Sequence, residues 1–209
     1  MFHHNLVPEQ FCFSPVPLRK ILRRAILWND GRTTESCEKI RQIVGDDLFM
    51  KYTCTPARPG LTAAKIQWVK DNEPDIYAKT AHILLPKDYL RYRLTGEYAT
   101  EVSDASATQL LDVPNRCWAK EILNLLDIKE EMLGKVYESQ EITGYVLPEV
   151  AKAMGITENT AVVGGASDNA AAGVGTGIVA PGRAMTTIGT SGTVFAFSET
   201  PVIDENQSV

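Results

Sequence analysis

The stretch VVGGASDNAAAGVGTG, residues 162–177, sets one acid, Asp168, between an apolar run and a tract of alanine and glycine. Residues 161–163 read as a buried strand, and Asp168-Asn169-Ala170-Ala171-Ala172 reads as a helix start. Asp168 is therefore expected where strand hands over to helix, the end of an α/β sheet at which ligands gather. The plain reading is an N-cap, because an aspartate that accepts a bond from the first helical N–H groups contributes about 1 kcal/mol and needs no further purpose. Taken alone, the stretch favours the cap.

The following residues add a chemical alternative. Residues 184–188, then Gly189-Thr190-Ser191-Gly192, then residues 193–198 read as strand, tight turn and strand. Such a turn can aim backbone N–H groups and the hydroxyls of Thr190 and Ser191 at phosphate oxygens, since glycine lets the backbone approach closely. A plain hairpin turn is the alternative, and GTSG by itself favours it. The tract GVGTG at residues 173–177 follows helix-like alanines instead of a strand, which excludes a Rossmann dinucleotide site.

Outward from this segment, helix and strand signals alternate, the pattern of an α/β protein. Residues 25–28 form a short apolar run ending in Asn29-Asp30-Gly31, expected as a strand leaving into a loop. A helix is expected over residues 33–44 with its stop at Gly45, and Thr62 is expected to cap a second helix that closes before Pro74. Residues 82–85 read as a strand, with Pro86 opening a helix that stops at Gly96. Two further helices are expected over residues 118–126 and 148–154, the latter ended by Gly155. From Thr160 the composition shifts to glycine, alanine, threonine and valine, with almost no charge until Glu199, which places a domain boundary near residue 158.

The 209 residues are 44% hydrophobic and 22% charged, enough for one large or two small cores. A net charge of -5 argues against an electrostatic grip on nucleic acid and for a small-molecule partner. No apolar run approaches the roughly 18 residues of a membrane span, and no secretory leader pattern opens the chain, so a cytoplasmic protein is expected. Cys12, Cys37, Cys54 and Cys117 lack C-x-x-C spacing, and His3, His4 and His82 form no ligand pattern, so no metal site is assigned to side chains.

Six blocks in order then carry a resemblance: ILWNDGRT (26–33), GLTAAKIQWVKDNEP (60–74), LLPKDYLRYRLTGEYATEVSDAS (84–106), VYESQEITG (136–144), VVGGASDNAAAGVGTGIVAPG (162–182) and IGTSGTV (188–194). Together they resemble the FGGY family of carbohydrate kinases, most closely its members that phosphorylate a pentulose such as D-xylulose. The resemblance implies an actin-like ATPase (ribonuclease H-like) α/β fold, with sugar and ATP meeting in a cleft between two domains. Residues 1–158 would be part of the N-terminal domain, with residues 1–20 divergent, and residues 159–209 the start of the C-terminal one.

On that resemblance Asp168 matches the catalytic base that takes the proton from the attacking sugar hydroxyl, a role compatible with a helix start. Asn169 matches a sugar-contacting position and Trp28 a tryptophan lining the sugar pocket, although a core tryptophan is an equal reading. Asp30 could bond sugar hydroxyls or simply make a turn. Gly189, Thr190, Ser191 and Gly192 match the second phosphate loop, and Mg2+ would arrive on ATP. Lys65 and Trp68 are expected to hold architecture.

The family's opening Asp-Gly-x-Thr phosphate loop and Met-His-Gly sugar loop do not occur before Trp28, and its adenine site does not occur before Val209. A fold truncated at both ends is expected, inactive by itself and prone to self-association through exposed strand edges. The alternative is a non-catalytic remnant or interaction module of such a kinase.

Overall fold

A computed structural model describes residues 11–13, 20–188 and 192–203. The described residues begin with strand β1 (Phe11–Phe13); from residue 20 an irregular segment leads through a turn at residues 28–29 to a 3-10 turn, Gly31–Thr33. Helices α1 (Thr34–Val44), α2 (Asp46–Thr53), α3 (Thr62–Asn72) and α4 (Pro74–Tyr77) follow. Next come β2 (His82–Leu84), α5 (Pro86–Thr95), β3 (Ala99–Glu101), α6 (Val102–Ser106), β4 (Leu111–Asp112), β5 (Cys117–Trp118) and α7 (Lys120–Leu125). The chain continues through β6 (Lys135–Tyr137), β7 (Ile142–Tyr145), α8 (Pro148–Met154), β8 (Ala161–Val163) and α9 (Asp168–Gly175). It closes with β9 (Ala184–Ile188) and β10 (Gly192–Ala196).

Strands associate in pairs. β1 lies antiparallel to β2, β4 to β5, β7 to β8 and β9 to β10, while β3 and β6 run parallel. The parallel pair is reached by a long crossover containing α6 and α7, as parallel strands require. Proline at the first turn starts α5 and α8, and each ends on a glycine in the left-handed region, Gly96 (φ +77) and Gly155 (φ +69).

The core lies among α1, α2, α3 and α7. Ile40, Phe49, Ala63, Ala64, Leu110 and Ile122 are fully buried in one cluster, each large side chain contributing about 1.5–3 kcal/mol on burial. Helix α3 is buried on almost every face, Lys65 and Gln67 included, because α1 packs on one side and Thr108 accepts the Ala63 N–H on another. Arg41 forks onto Asp46 with N–O distances of 2.9 and 2.7 Å, stitching the break between α1 and α2.

Three local expectations need correction. Residues 25–28 bury Ile26 but form no strand, since among the described residues no neighbouring strand takes their backbone bonds. Thr62 is the first residue of α3 and Leu61 precedes it, with no side-chain cap. The helix expected from Trp118 begins at Lys120, because Trp118 pairs with Leu111 in β5 and its indole N–H donates to Gly134 O at 2.9 Å. Among the described residues no helix is long and apolar enough to cross a membrane.

Candidate active site

Asp168 stands at the first position of α9, after a four-residue turn from β8. The cap is Ser167, extended at φ -61 and ψ 157, and the Asp168 carboxylate accepts only the neighbouring Asn169 N–H, at 2.7 Å. The N-cap reading of Asp168 is therefore corrected: the turn before the helix, not the acid, satisfies the cap geometry. Asp168 is exposed.

That turn is fastened to the preceding fold at four points. Gly164 N–H donates to Glu141 O and Gly165 N–H to Ser139 O, both at 3.0 Å. The Lys87 ammonium donates to Gly164 O at 3.1 Å, and Ser167 N–H donates to Ser103 Oγ at 2.9 Å. Both side chains converge on Glu101, the fully buried end of β3. Glu101 accepts from Ser103 N–H, Ser103 Oγ, Asp104 N–H and Ser139 Oγ at 2.8–2.9 Å, so its carboxylate is held by the start of α6 and by the loop before β7.

Lys87 lies 2.9 Å from Asp88, 3.5 Å from Glu101 and 3.6 Å from Asp104. One cation thus serves three carboxyl groups. Burial pushes the Asp104 carboxyl up to about 6, with the nearby Asp88 and Glu101 charges adding to the rise and Lys87 opposing it. Asp88 is also raised, chiefly by burial.

Asp168, Asp104, Lys87, Lys65 and Trp28 line one cavity of about 620 Å³, adequate for a small polyol. A neighbouring cavity of 420 Å³ shares the Leu61 and Ala107 wall and is lined by Arg58 and Gln109. Trp28 is 72% exposed, so it is not a core tryptophan. Its backbone carbonyl rests against Gly60, where an added Cβ would lie 3.1 Å away, and Gly60 N–H donates to Thr33 Oγ1 at 2.8 Å.

The other expected residues lie elsewhere. Asp30 accepts from Arg32 N–H at 3.1 Å and pairs with its guanidinium at 2.8 Å, which holds its carboxyl below the usual range. It caps the 3-10 turn and is not among the residues lining the cavity. Asn169 is exposed one residue beyond Asp168, also outside that lining. Gly189, Thr190 and Ser191 lie outside the described residues, while Gly192 opens β10 opposite Ile188. Among the described residues no three His, Cys, Asp or Glu side chains gather as a metal site. Lys87, Glu101, Ser103 and Asp104 were not singled out in the sequence, although all four sit in the block at residues 84–106.

Residues 18–175 match the model of the N-terminal domain of the FGGY family of carbohydrate kinases. The chain belongs to this family. Among FGGY relatives, the xylulose kinase of Escherichia coli is 45% identical over 181 residues, covering 87% of this chain and 37% of that enzyme. The xylulose kinase of Bacillus subtilis is 41% identical, covering 87% of this chain and 36% of its own. The crystal structure of a xyloylose kinase from Brucella ovis superposes with a TM-score of 0.83 at 39% identity, over 90% of this chain and 38% of that one. This FGGY chain therefore spans well under half the length of the relatives it matches. The actin-like ATPase fold of those kinases is the fold to which its mixed α/β elements belong.

Proposed function

We propose that the chain is the sugar-binding and catalytic-base portion of an ATP-dependent pentulose kinase that converts D-xylulose to D-xylulose 5-phosphate. The observation that carries this reading is the placement of Asp168 on the wall of a cavity shared with the exposed indole of Trp28. The indole face suits the carbon skeleton of a sugar, and Asp168 is positioned to take the proton of the attacking hydroxyl. As that O–H bond breaks, the sugar oxygen bonds to the γ-phosphorus and the bond to ADP opens. Mg2+ enters with ATP as part of the co-substrate. Asn169 and Asp30 remain proposed sugar contacts, and the turn at residues 189–192 the proposed phosphate contact. A division near residue 158 is supported by burial, since after Ala151 only Gly164 and Gly173 are buried among the described residues. The family match runs on to residue 175, so on this division Asp168 stands at the seam.

The test places residues 20–203 in the matching segment of the Escherichia coli xylulose kinase and follows D-xylulose-dependent ADP release. Turnover by the chimera, with loss of more than a hundredfold in Asp168→Asn and retained folding, is the expected result. A folded chimera that ignores D-xylulose, or an Asn variant with near-normal turnover, overturns the reading.

A further inference from the structure

We propose that Lys87, Glu101 and Ser103 act as positioning residues for Asp168, forming a polar clamp around the buried Glu101 carboxylate that fixes the turn from which the base projects. The inference rests on the kinase reading for its catalytic consequence and on geometry for the clamp itself. The turn at residues 164–167, Gly-Gly-Ala-Ser, carries no large apolar side chain to anchor it, β8 beside it is half exposed, and the first residues of α9 are exposed. Hydrogen bonds must then define its place.

Two of these bonds come from side chains distant in sequence, Lys87 to Gly164 O and Ser103 Oγ from Ser167 N–H. They bracket the turn at its two ends. Each is fixed by Glu101, whose carboxylate accepts the Ser103 hydroxyl at 2.8 Å and lies 3.5 Å from the Lys87 ammonium. The Ser103 hydroxyl can donate to Glu101 only by turning its lone pairs outward, and one of these receives the Ser167 N–H. The direction of the relay is thus dictated by Glu101. Ser139 adds a third strut, since its hydroxyl donates to Glu101 while its carbonyl accepts from Gly165 N–H.

The clamp is dense enough that a side chain at Gly164 would force it to shift. A Cβ at Gly164 would meet Glu138 O at 2.9 Å and the Glu101 Cβ at 3.0 Å. Turn and clamp are therefore in direct contact, and a displacement of one is transmitted to the other. Because an error of about 1 Å in a reacting group can cost on the order of a hundredfold in rate, holding this turn has catalytic value. The residues of the clamp need not touch sugar or nucleotide for that to be so.

The test uses Ser103→Ala, with Ser103→Thr as the variant that restores the hydroxyl, and Lys87→Met as an independent break. Amide hydrogen exchange on the whole chain is read at Ser167 and at the core residue Ile122. The expected result is at least a tenfold faster exchange at Ser167 in Ser103→Ala, unchanged exchange at Ile122, and recovery in Ser103→Thr. In the chimera with the Escherichia coli enzyme, Ser103→Ala should lower kcat about tenfold and leave the KM for ATP within twofold. Exchange at Ser167 within twofold of the parent overturns the clamp. Faster exchange with unaltered kcat overturns its catalytic role. A parent chimera without turnover counts against the kinase reading, and the exchange result then decides the clamp by itself. Should Lys87→Met fail to fold, the serine pair alone decides it.

Discussion

Replacing Gly164 by alanine tests whether the turn before Asp168 is as tightly seated as its contacts imply. The new Cβ would lie 2.9 Å from Glu138 O and 3.0 Å from the Glu101 Cβ, whereas ordinary contact begins at 3.4 Å. The backbone must retreat by about half an ångström, and overpacking of this kind costs about 1–3 kcal/mol. The retreat also stretches the bonds from Gly164 N–H to Glu141 O and from Lys87 to Gly164 O. Against this, alanine restricts the unfolded chain by about 0.4–1 kcal/mol in favour of folding. A net loss of about 1–2 kcal/mol is expected, read as a lower urea midpoint with an unchanged slope. In the chimera, half an ångström of displacement at the base should lower kcat about tenfold. Gly175→Ala is the control, because nothing lies within 4 Å of its Cβ and the change at the end of α9 should be neutral or stabilising by up to ~1 kcal/mol. A Gly164→Ala protein as stable as its parent, with full turnover, would refute the tight seat.

Asp168→Asn should leave the urea midpoint nearly unchanged, because Ser167 is the cap and the side chain bonds only its neighbour; a large loss of stability would contradict that placement. The raised Asp104 carboxyl makes a signed pH prediction. Its folded pKa of about 6 exceeds its ordinary 3.8, so the folded state holds the proton more tightly. Stability is then lost as pH rises from about 4 to about 6, on the order of 2–3 kcal/mol, and is level above that. Midpoints measured across this window should fall less steeply in Asp104→Asn than in the parent, and parallel curves would refute the shift. Phe49→Ala empties the centre of the core and should cost about 3–5 kcal/mol by urea denaturation, where a loss below 1 kcal/mol would show that the core collapses around the gap.

What the sequence made legible follows from how local each signal is. Proline starts and glycine stops placed α5 and α8 to the residue, and the glycine-bounded apolar pattern placed α1. These signals are carried by a residue's own backbone. The strand expected over residues 25–28 failed because strands need a partner, and periodicity says nothing of one. Trp118 was read as helical for the same reason, its place in β5 being fixed by Leu111 and Gly134, which lie apart in sequence. Asp168 stood out by its place where strand hands over to helix and Trp28 through family order, and both line one cavity. Lys87, Glu101 and Ser103 escaped because lysine beside aspartate and serine beside aspartate look like ordinary helix ends. Their common purpose appears only when residues 87, 101–104 and 164–167 meet in space.

The three tryptophans occupy three distinct electrostatic settings, which gives the chain a built-in optical record of its own state. Trp28 is 72% exposed at the cavity mouth, Trp68 lies beneath the guanidinium groups of Arg32 and Arg23 at 4.8 and 5.9 Å, and Trp118 is 8% exposed with its N–H bonded. Emission from Trp28 should be red and open to iodide, whereas Trp118 should emit in the blue and be shielded. A sugar seated against Trp28 would protect the red component alone, while melting of the core would shift the blue one. Occupancy and unfolding are thereby separable in a single spectrum, without a label.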